Sequence, residues 1–412
     1  MTFFNIRAPL YVSLEITYEC NNYCTGCINE LSFSRLRKTQ PLKWQKIIDA
    51  VADTAAQIRV TGGEPTLHPH IDEVVAYLDA KAMPFVIFSH GRLPSIQRVL
   101  PTLQRANHFW GFLISMHGRT AKTHENFTNV KHSYQQMLDG IAAIRELNLP
   151  FFTTTVIRDE VMDEIETIAE FADSLGAETI NFNRYLGFKN GKLVATDEQL
   201  RLAIRKVEQL RKEKGYPTYI GNCIPQCFEE YEYPEFQISG ITNCTIDPDG
   251  NVRAGHHPEI FGNVLQQTME EIWCQKAVAR YLDEVPATCK DCIYAYTCPG
   301  GSRALVNKLG LPQDPLITKA IRRPHKTEIA IPRGGIPTLN KFAKIRQENF
   351  GCIIYDFNTM YPVEASSRWV EELFNRRQPM EKLTAAHGNT VLEFMAALND
   401  AGLVEFNDSA SM

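Results

Sequence analysis

No apolar run in this sequence approaches the ~18 residues of a membrane span, so nothing in it reads as a transmembrane helix. Met1-Thr2-Phe3-Phe4-Asn5 lacks a basic segment, a long apolar core and a small-residue cleavage site, and does not read as a signal peptide. Positive charge is not in surplus either. Lys plus Arg number 43 against 48 Asp plus Glu, a net charge of −5, which argues against nucleic acid as the main partner. Cysteine, by contrast, is plentiful. Eleven cysteines without an export signal fit reduced thiols and metal ligands better than disulfides, and the expected location is the cytoplasm. A length of 412 residues predicts two or three domains, and 44% apolar with 22% charged residues is ordinary for a globular chain.

The cysteines fall in threes and pairs. Cys20, Cys24 and Cys27 are spaced C-x3-C-x2-C, directly after the strand-like run Val12–Ile16. A tetrahedral zinc site wants four ligands, usually two separated pairs, and no fourth Cys or His lies nearby. Three thiolates on an iron–sulfur cluster would leave one iron open to another ligand. Zinc, or a chance spacing, is the plainer alternative.

Apolar strand patterns recur at Gln57–Val60, Phe85–Phe88, Gly111–Ser115, Phe151–Ile157 and Thr179–Asn183, separated by helical patterns. Helices are predicted over Gln135–Asn148, Asp163–Leu175 with Gly176 as cap, and Gln199–Lys214. Six βα units imply an α/β fold, a parallel sheet wrapped by helices, two units short of a closed eight-stranded barrel. Chemistry is then expected at the C-terminal strand ends. Gly62-Gly63-Glu64-Pro65 follows the second strand, Ser89 the third and Ser115-Met116-His117-Gly118 the fourth. Two glycines permit close backbone approach to a ligand, and a carboxylate suits an ammonium group.

The triple cysteine and Gly-Gly-Glu-Pro together resemble the radical SAM enzymes. The resemblance implies a partial (β/α)6 barrel and a [4Fe–4S] cluster on Cys20, Cys24 and Cys27. It implies S-adenosylmethionine bound by Gly62, Gly63, Glu64, Pro65, Ser89 and Ser115, and an electron donor such as flavodoxin or ferredoxin. In that family the cofactor is cleaved reductively and a 5′-deoxyadenosyl radical takes a hydrogen atom from the substrate. Two departures stand out: Gly26 where an aromatic residue usually precedes the last cysteine, and Phe127 near the place of an Arg in some relatives.

Residues 216–322 hold Cys223, Cys227 and Cys244, the turn signal Pro248-Asp249-Gly250-Asn251, and Cys289, Cys292 and Cys298 spaced C-x2-C-x5-C. Zinc is again the alternative. This region resembles the SPASM/twitch extension, whose full form binds two auxiliary [4Fe–4S] clusters. Gln237, Gly255, Ser302 and Ile317 stand where four of its cysteines would be, so one auxiliary cluster at most is expected. It would use Cys289, Cys292 and Cys298, with a fourth ligand open; Cys223, Cys227 and Cys244 are candidates. His256 and His257 are candidate acid–base residues or ligands, with a solvated loop pair as the alternative. Cys274 is expected as a buried apolar thiol.

Residues 318–341 read as a linker rich in Arg, Lys, Pro and Gly, followed by a hairpin signal over 344–356, helices near Ser366–Asn375 and Val391–Asn399, and a last strand near 403–406. Over 323–408 the balance is 10 Lys/Arg to 11 Asp/Glu, not that of a DNA reader. The pattern is similar to PqqD-like domains, winged-helix modules that recognise leader peptides by strand addition. The expected organisation is therefore a radical SAM core over 1–215, a SPASM/twitch-like region over 216–322 and a peptide-binding module over 323–412. The expected activity is modification of a ribosomally made precursor peptide. A small-molecule substrate, maturation of another enzyme, or a non-catalytic Fe–S scaffold are the alternatives.

Overall fold

Parallel strands are covered on both faces, so their sequences are nearly continuous apolar runs. β1 (Tyr11–Thr17) is of this kind, with six of its seven residues buried. In the computed structural model it lies in the middle of a ten-stranded sheet. The structure describes residues 6–31, 41–186, 195–222, 224–229, 231, 242–290, 292, 298, 300–321, 331–356 and 359–407. From β1 the sheet continues in chain order through β2 (Gln57–Gly62), β3 (Phe85–Ser89), β4 (Phe109–Ser115), β5 (Phe151–Ile157) and β6 (Ile180–Arg184), all parallel. These are the six expected strands, with bounds moved by a residue or two. A seventh parallel strand, β7 (Thr218–Ile220), pairs with β6. Three residues are too few for a periodic signal, and the sequence reading missed it.

The helices between these strands bury one stripe each. Asp197–Lys214 turns Leu200, Ala203, Ile204, Val207 and Leu210 inward, opens on a capping box of Thr196 and Gln199, and ends at Gly215 with φ +74°. Ser133–Glu146 and Ile165–Ser174 occupy the places the periodicity predicts.

On the other side of β1 lies a second block of sheet. β8 (Asn243–Ile246) runs parallel to β1, and β9 (Asn251–Arg253) and β10 (Gly262–Asn263) follow antiparallel. The β8–β9 turn is held by Asp247, whose Oδ1 accepts from the N–H groups of Asp249 and Asn251 at 2.9 Å, and by Gly250 at φ +87°. Two buried ion pairs join this block and its sequel to the main strands. Arg253 of β9 donates to Glu15 of β1, whose carboxyl is pushed up by burial and drawn back by that guanidinium. Arg184, at the end of β6, grips Asp314 with both terminal nitrogens, at 2.7 and 3.1 Å. Asp314 also accepts from the N–H groups of Ser302 and Leu316, and it is fully buried.

The described residues from 8 to 321 form one compact unit; Ile6, Arg7 and those from 331 onward form a second. In the second, β11 (Ile336–Leu339) pairs antiparallel with β15 (Val404–Asn407), and β12 (Lys344–Glu348), β13 (Gly351–Tyr355) and β14 (Met360–Val363) make a three-stranded meander. Helices Ser367–Asn375, Met380–His387 and Asn389–Asp400 close over Cys352, Ile354, Leu373, Leu383 and Met395. Cys352 is a packed thiol within β13, as expected, whereas Cys274 is exposed, contrary to expectation.

Breaking a buried ion pair strands the surviving charge, at a typical cost of about 3–5 kcal/mol. Asp314→Ala is therefore expected to lower the urea midpoint of unfolding sharply, and an unchanged midpoint would contradict the bracing role. A second expectation concerns pH. Burial, and then the charge of the neighbouring ring and of Arg158, holds His117 well below its ordinary 6.5; burial and Arg158 bring His124 down to about 3. The unfolded chain protonates both near 6.5 while the folded chain keeps them neutral. Stability should thus fall as pH drops below about 6.5, by up to about 1.4 kcal/mol per pH unit for each histidine. Thermal midpoints measured from pH 7.5 to 5 should decline, and His124→Gln should flatten that slope.

Candidate active site

Beyond β1 the chain runs through Tyr18 and Glu19 into Cys20, and the end of β2 lies against this stretch. Gly63 N–H donates to Thr17 O, and Glu64 N–H to Glu19 O, each at 2.7 Å. A Cβ on Gly62 would stand 2.1 Å from Thr17 O, and one on Gly63 2.1 Å from Glu19 O. The two glycines therefore serve first to seat β2 against the backbone that delivers Cys20, with Gly62 at φ +133°. The Gly62 carbonyl accepts from the Asn29 side chain.

Glu64 is buried, and its carboxylate is the hub of the site. Oε1 accepts from Thr66 N–H (3.2 Å), Thr66 Oγ1 (2.7 Å) and Ser89 Oγ (2.9 Å), and Oε2 accepts from His90 N–H (2.9 Å). Ser89 in turn accepts from Gly91 N–H. Pro65 opens the short helical turn that Glu64 caps. Glu64 and Ser89 thus join the ends of β2 and β3, and Oε2, which also lies 3.4 Å from His90 Nε2, retains acceptor capacity for a cation.

His90 carries the network to the cysteines. Its Nδ1 accepts from Arg92 N–H at 3.1 Å, which assigns the proton to Nε2, and Nε2 donates to Asn21 Oδ1 at 2.6 Å. Burial holds this imidazole below its usual range, against the pull of Glu64. Arg92 donates from Nη1 to Asn21 O and Asn22 Oδ1, both at 2.9 Å. From the β4 side, Tyr23 N–H and Thr25 N–H donate to Thr128 O and Phe127 O, and Asn129 Nδ2 donates to Tyr23 O and Thr25 Oγ1. Gly26, at φ +72°, lies under the Tyr185 phenol, whose oxygen is 2.1 Å from where a Cβ would be. An aromatic ring from the end of β6 thus covers the position that lacks one in the sequence. Arg158, beyond β5, lies 4.7 Å over the Phe127 ring. Fully buried, it donates to His117 O and Thr123 O at 2.6 and 2.7 Å, which makes it a brace.

The ends of β1 to β6 therefore converge on the loop carrying Cys20, Cys24 and Cys27, all three partly exposed. Among the described residues, no three or more His, Cys, Asp or Glu side chains are gathered as they would be round a single metal ion. A [4Fe–4S] cluster asks for something else: thiolates spread over separate irons, with a free corner if only three are supplied. The donor set and its exposure fit that group. Ser115 is half-exposed at the end of β4, opposite Thr154 of β5. Asn183 of β6 donates to Thr154 Oγ1 at 2.8 Å and keeps a buried Oδ1 without a partner. Asn183 and Thr154 thus join Ser115 as polar groups for a ligand at this edge. Arg92 and Asn129 carry no motif of their own, and only the fold brings them to the loop.

His256 and His257 are not brought to it. Arg253 pairs with Thr245, which pairs with Ser13, so beyond β9 the chain leaves toward the N-terminal edge of β1, away from Cys20. Burial brings His256 down to about 4, and it lowers His257, whose ring packs edge-on to Tyr281. His257 is a packed ring, and His256 is half-buried with its Nδ1 buried and without a partner. Cys244 pairs with Val12 inside the sheet, fully buried, its thiol pushed up by burial alone. Cys223 lies outside the described residues. Of the positions where the sequence lacks an expected cysteine, Ser302 caps helix Arg303–Leu309, Ile317 is buried, and Gly255 turns the chain at φ +53°.

No described helix is long and apolar enough to cross a membrane. The Radical SAM superfamily matches residues 14–172, and the SPASM iron–sulfur cluster-binding domain matches residues 239–293. The AdoMet-dependent heme synthase of Methanosarcina barkeri is 25% identical over 325 residues, 71% of this chain and 91% of that protein. The PqqA peptide cyclase of Ruegeria pomeroyi is 23% identical over 338 residues, 77% of this chain and 87% of that one. Among solved structures, Streptococcus suis SuiB bound to precursor peptide SuiA superposes with a TM-score of 0.64 at 14% identity, covering 76% of each chain. The enzyme anSMEcpe with bound AdoMet gives 0.58 at 15% identity, over 72% of this chain and 86% of that one. At such identities these superpositions speak for the fold. The chain carries a Radical SAM domain followed by a SPASM iron–sulfur cluster-binding domain.

Proposed function

We propose that this chain is a radical SAM enzyme that modifies a ribosomally made precursor peptide. The observation that carries the reading is the Cys20–Cys27 loop, seated where the C-terminal ends of six parallel strands converge. Cys20, Cys24 and Cys27 would hold a [4Fe–4S] cluster, with S-adenosylmethionine on its open iron. Together these supply reductive cleavage of the sulfonium and a 5′-deoxyadenosyl radical.

The chain's own residues do the positioning. Gly62 and Gly63 seat the loop and present backbone at the cofactor's edge. Glu64, with the free capacity of Oε2, is the group for an ammonium, and Ser115, Thr154 and Asn183 offer hydroxyl and amide partners along β4 to β6. Tyr185 flanks the loop; it is buried and keeps water from one side of it. Electrons would come from a flavodoxin- or ferredoxin-like donor, and the reading is of a cytoplasmic enzyme.

The second compact unit is the peptide-binding element of this reading, a winged-helix-like, PqqD-like module over 323–412. Its meander β12-β13-β14 has two edge strands, and an extended leader peptide would add to one of them. Tethering the leader there raises the effective concentration of the core peptide at the barrel. A small-molecule substrate is the second reading, favoured by the likeness to the heme synthase over most of that protein's length.

The test is anaerobic incubation of the full chain with S-adenosylmethionine, reductant and short peptides encoded beside its gene. The expected outcome is a change in peptide mass, together with slower amide deuterium exchange in Lys344–Glu348 or Met360–Val363 when the peptide is bound. Exchange unchanged at both edges, and peptides recovered with unaltered mass, would favour the small-molecule reading.

A further inference from the structure

The C-x2-C-x5-C segment supplies three thiols, and the sequence offers no cysteine at the position held by Ile317. The structure brings another cysteine there from a distant part of the sequence. Thr318 N–H donates to Cys227 Sγ at 3.3 Å, and Thr318 Oγ1 donates to Cys227 O at 2.5 Å. The thiol of Cys227 is thereby pinned beside Ile317, although 91 residues separate Cys227 from Thr318.

The other three are drawn to the same neighbourhood by their own turns. Cys289 N–H donates to Pro286 O and Cys292 N–H to Cys289 O, which winds the C-x2-C pair tightly. Gly300 N–H closes on Cys298 O at 2.6 Å, and Gly300, at φ +87°, lies so close that a Cβ would stand 3.7 Å from Cys289 Sγ. Gly301 follows at φ +77°, against Asp314, which ties this turn to the segment leading to Thr318. Cys289 and Cys292 are buried. Ile317 N–H donates to Asp314 O at 3.0 Å, so the residue beside the Cys227 thiol stands on the same aspartate that orders the turn after Cys298. Cys244 instead lies inside the sheet, paired with Val12 of β1.

We propose that Cys227 is the fourth thiolate of an auxiliary iron–sulfur cluster otherwise held by Cys289, Cys292 and Cys298, standing in for the thiol that Ile317 does not provide. The inference rests on the reading of residues 239–293 as a cluster-binding domain, and extends its ligand set beyond that segment on both sides. Four thiolates close a [4Fe–4S] cluster, so this one offers no open iron to a substrate. The backbone N–H of Thr318 on Cys227 Sγ is the kind of donor that stabilises a ligating thiolate.

The test uses the full chain with Cys20, Cys24 and Cys27 replaced by Ala, so that only auxiliary iron is counted. After anaerobic reconstitution this parent should hold about four irons and four sulfides with a [4Fe–4S] Mössbauer and EPR signature. Adding Cys227→Ala should expose one iron. Mild oxidation should then release about one iron in four and give a [3Fe–4S] EPR signal, and added cyanide should shift the reduced spectrum. Cys227→Ser should keep the iron count with an altered spectrum, which covers the case in which the alanine variant does not fold. Cys244→Ala should match the parent. Spectra of Cys227→Ala and Cys227→Ser indistinguishable from the parent would overturn the ligand assignment alone. A parent that takes up no iron would overturn the auxiliary cluster itself, and the assignment with it.

Discussion

The seam between the ends of β1 and β2 governs the rest of the site. Two backbone hydrogen bonds of 2.7 Å hold Gly63 and Glu64 on Thr17 and Glu19, and neither glycine could carry a side chain there. This contact sets the direction in which the chain enters Cys20, and it brings the Glu64 carboxylate beneath the third strand. Any residue with a Cβ at position 63 would push apart the two strands whose register aims the cysteine loop. The loop has almost no regular structure of its own, so its shape depends on such anchors.

Those anchors are polar, buried and mutually dependent. Glu64 holds Ser89 and the His90 backbone, His90 holds the Asn21 side chain, and Arg92 holds the Asn21 carbonyl and the Asn22 side chain. Satisfied networks of this sort fix one geometry, because each buried group would be costly to leave unpaired. The same logic operates farther out, where Arg184–Asp314 and Arg253–Glu15 fasten the cysteine-rich region to the parallel strands. Asp314 then also orders the turn after Cys298 and the segment reaching Thr318, so the mounting of that region and the placing of Cys227 beside Thr318 share one buried carboxylate.

Much of this was legible in the sequence where the signal is local. Six buried parallel strands betray themselves as apolar runs, and three cysteines in eight residues with Gly-Gly-Glu-Pro after the next strand mark the site. What was not legible depends on distance along the chain. Glu64 was read as a group reaching for a ligand, but most of its capacity goes to Thr66, Ser89 and His90. Nothing local says that Tyr185 will cover Gly26, that Arg158 will lie over Phe127, or that Cys227 will meet Thr318. His256 and His257 were placed by their nearness in sequence to an expected cysteine, whereas the register of β9 carries them to the other edge of the sheet. Cys274 sits in an amphipathic stretch, yet the helix ends there and leaves it exposed.

The account stands on the Cys20–Cys27 loop as the place where S-adenosylmethionine is cleaved. The direct measurement is 5′-deoxyadenosine formed under dithionite by the anaerobically reconstituted chain, beside iron content, for the parent and for Cys24→Ala. The account predicts deoxyadenosine from the parent, none from Cys24→Ala, and a loss of about four irons in that variant. Deoxyadenosine formed equally by both, or a parent that holds zinc and no iron, would contradict it.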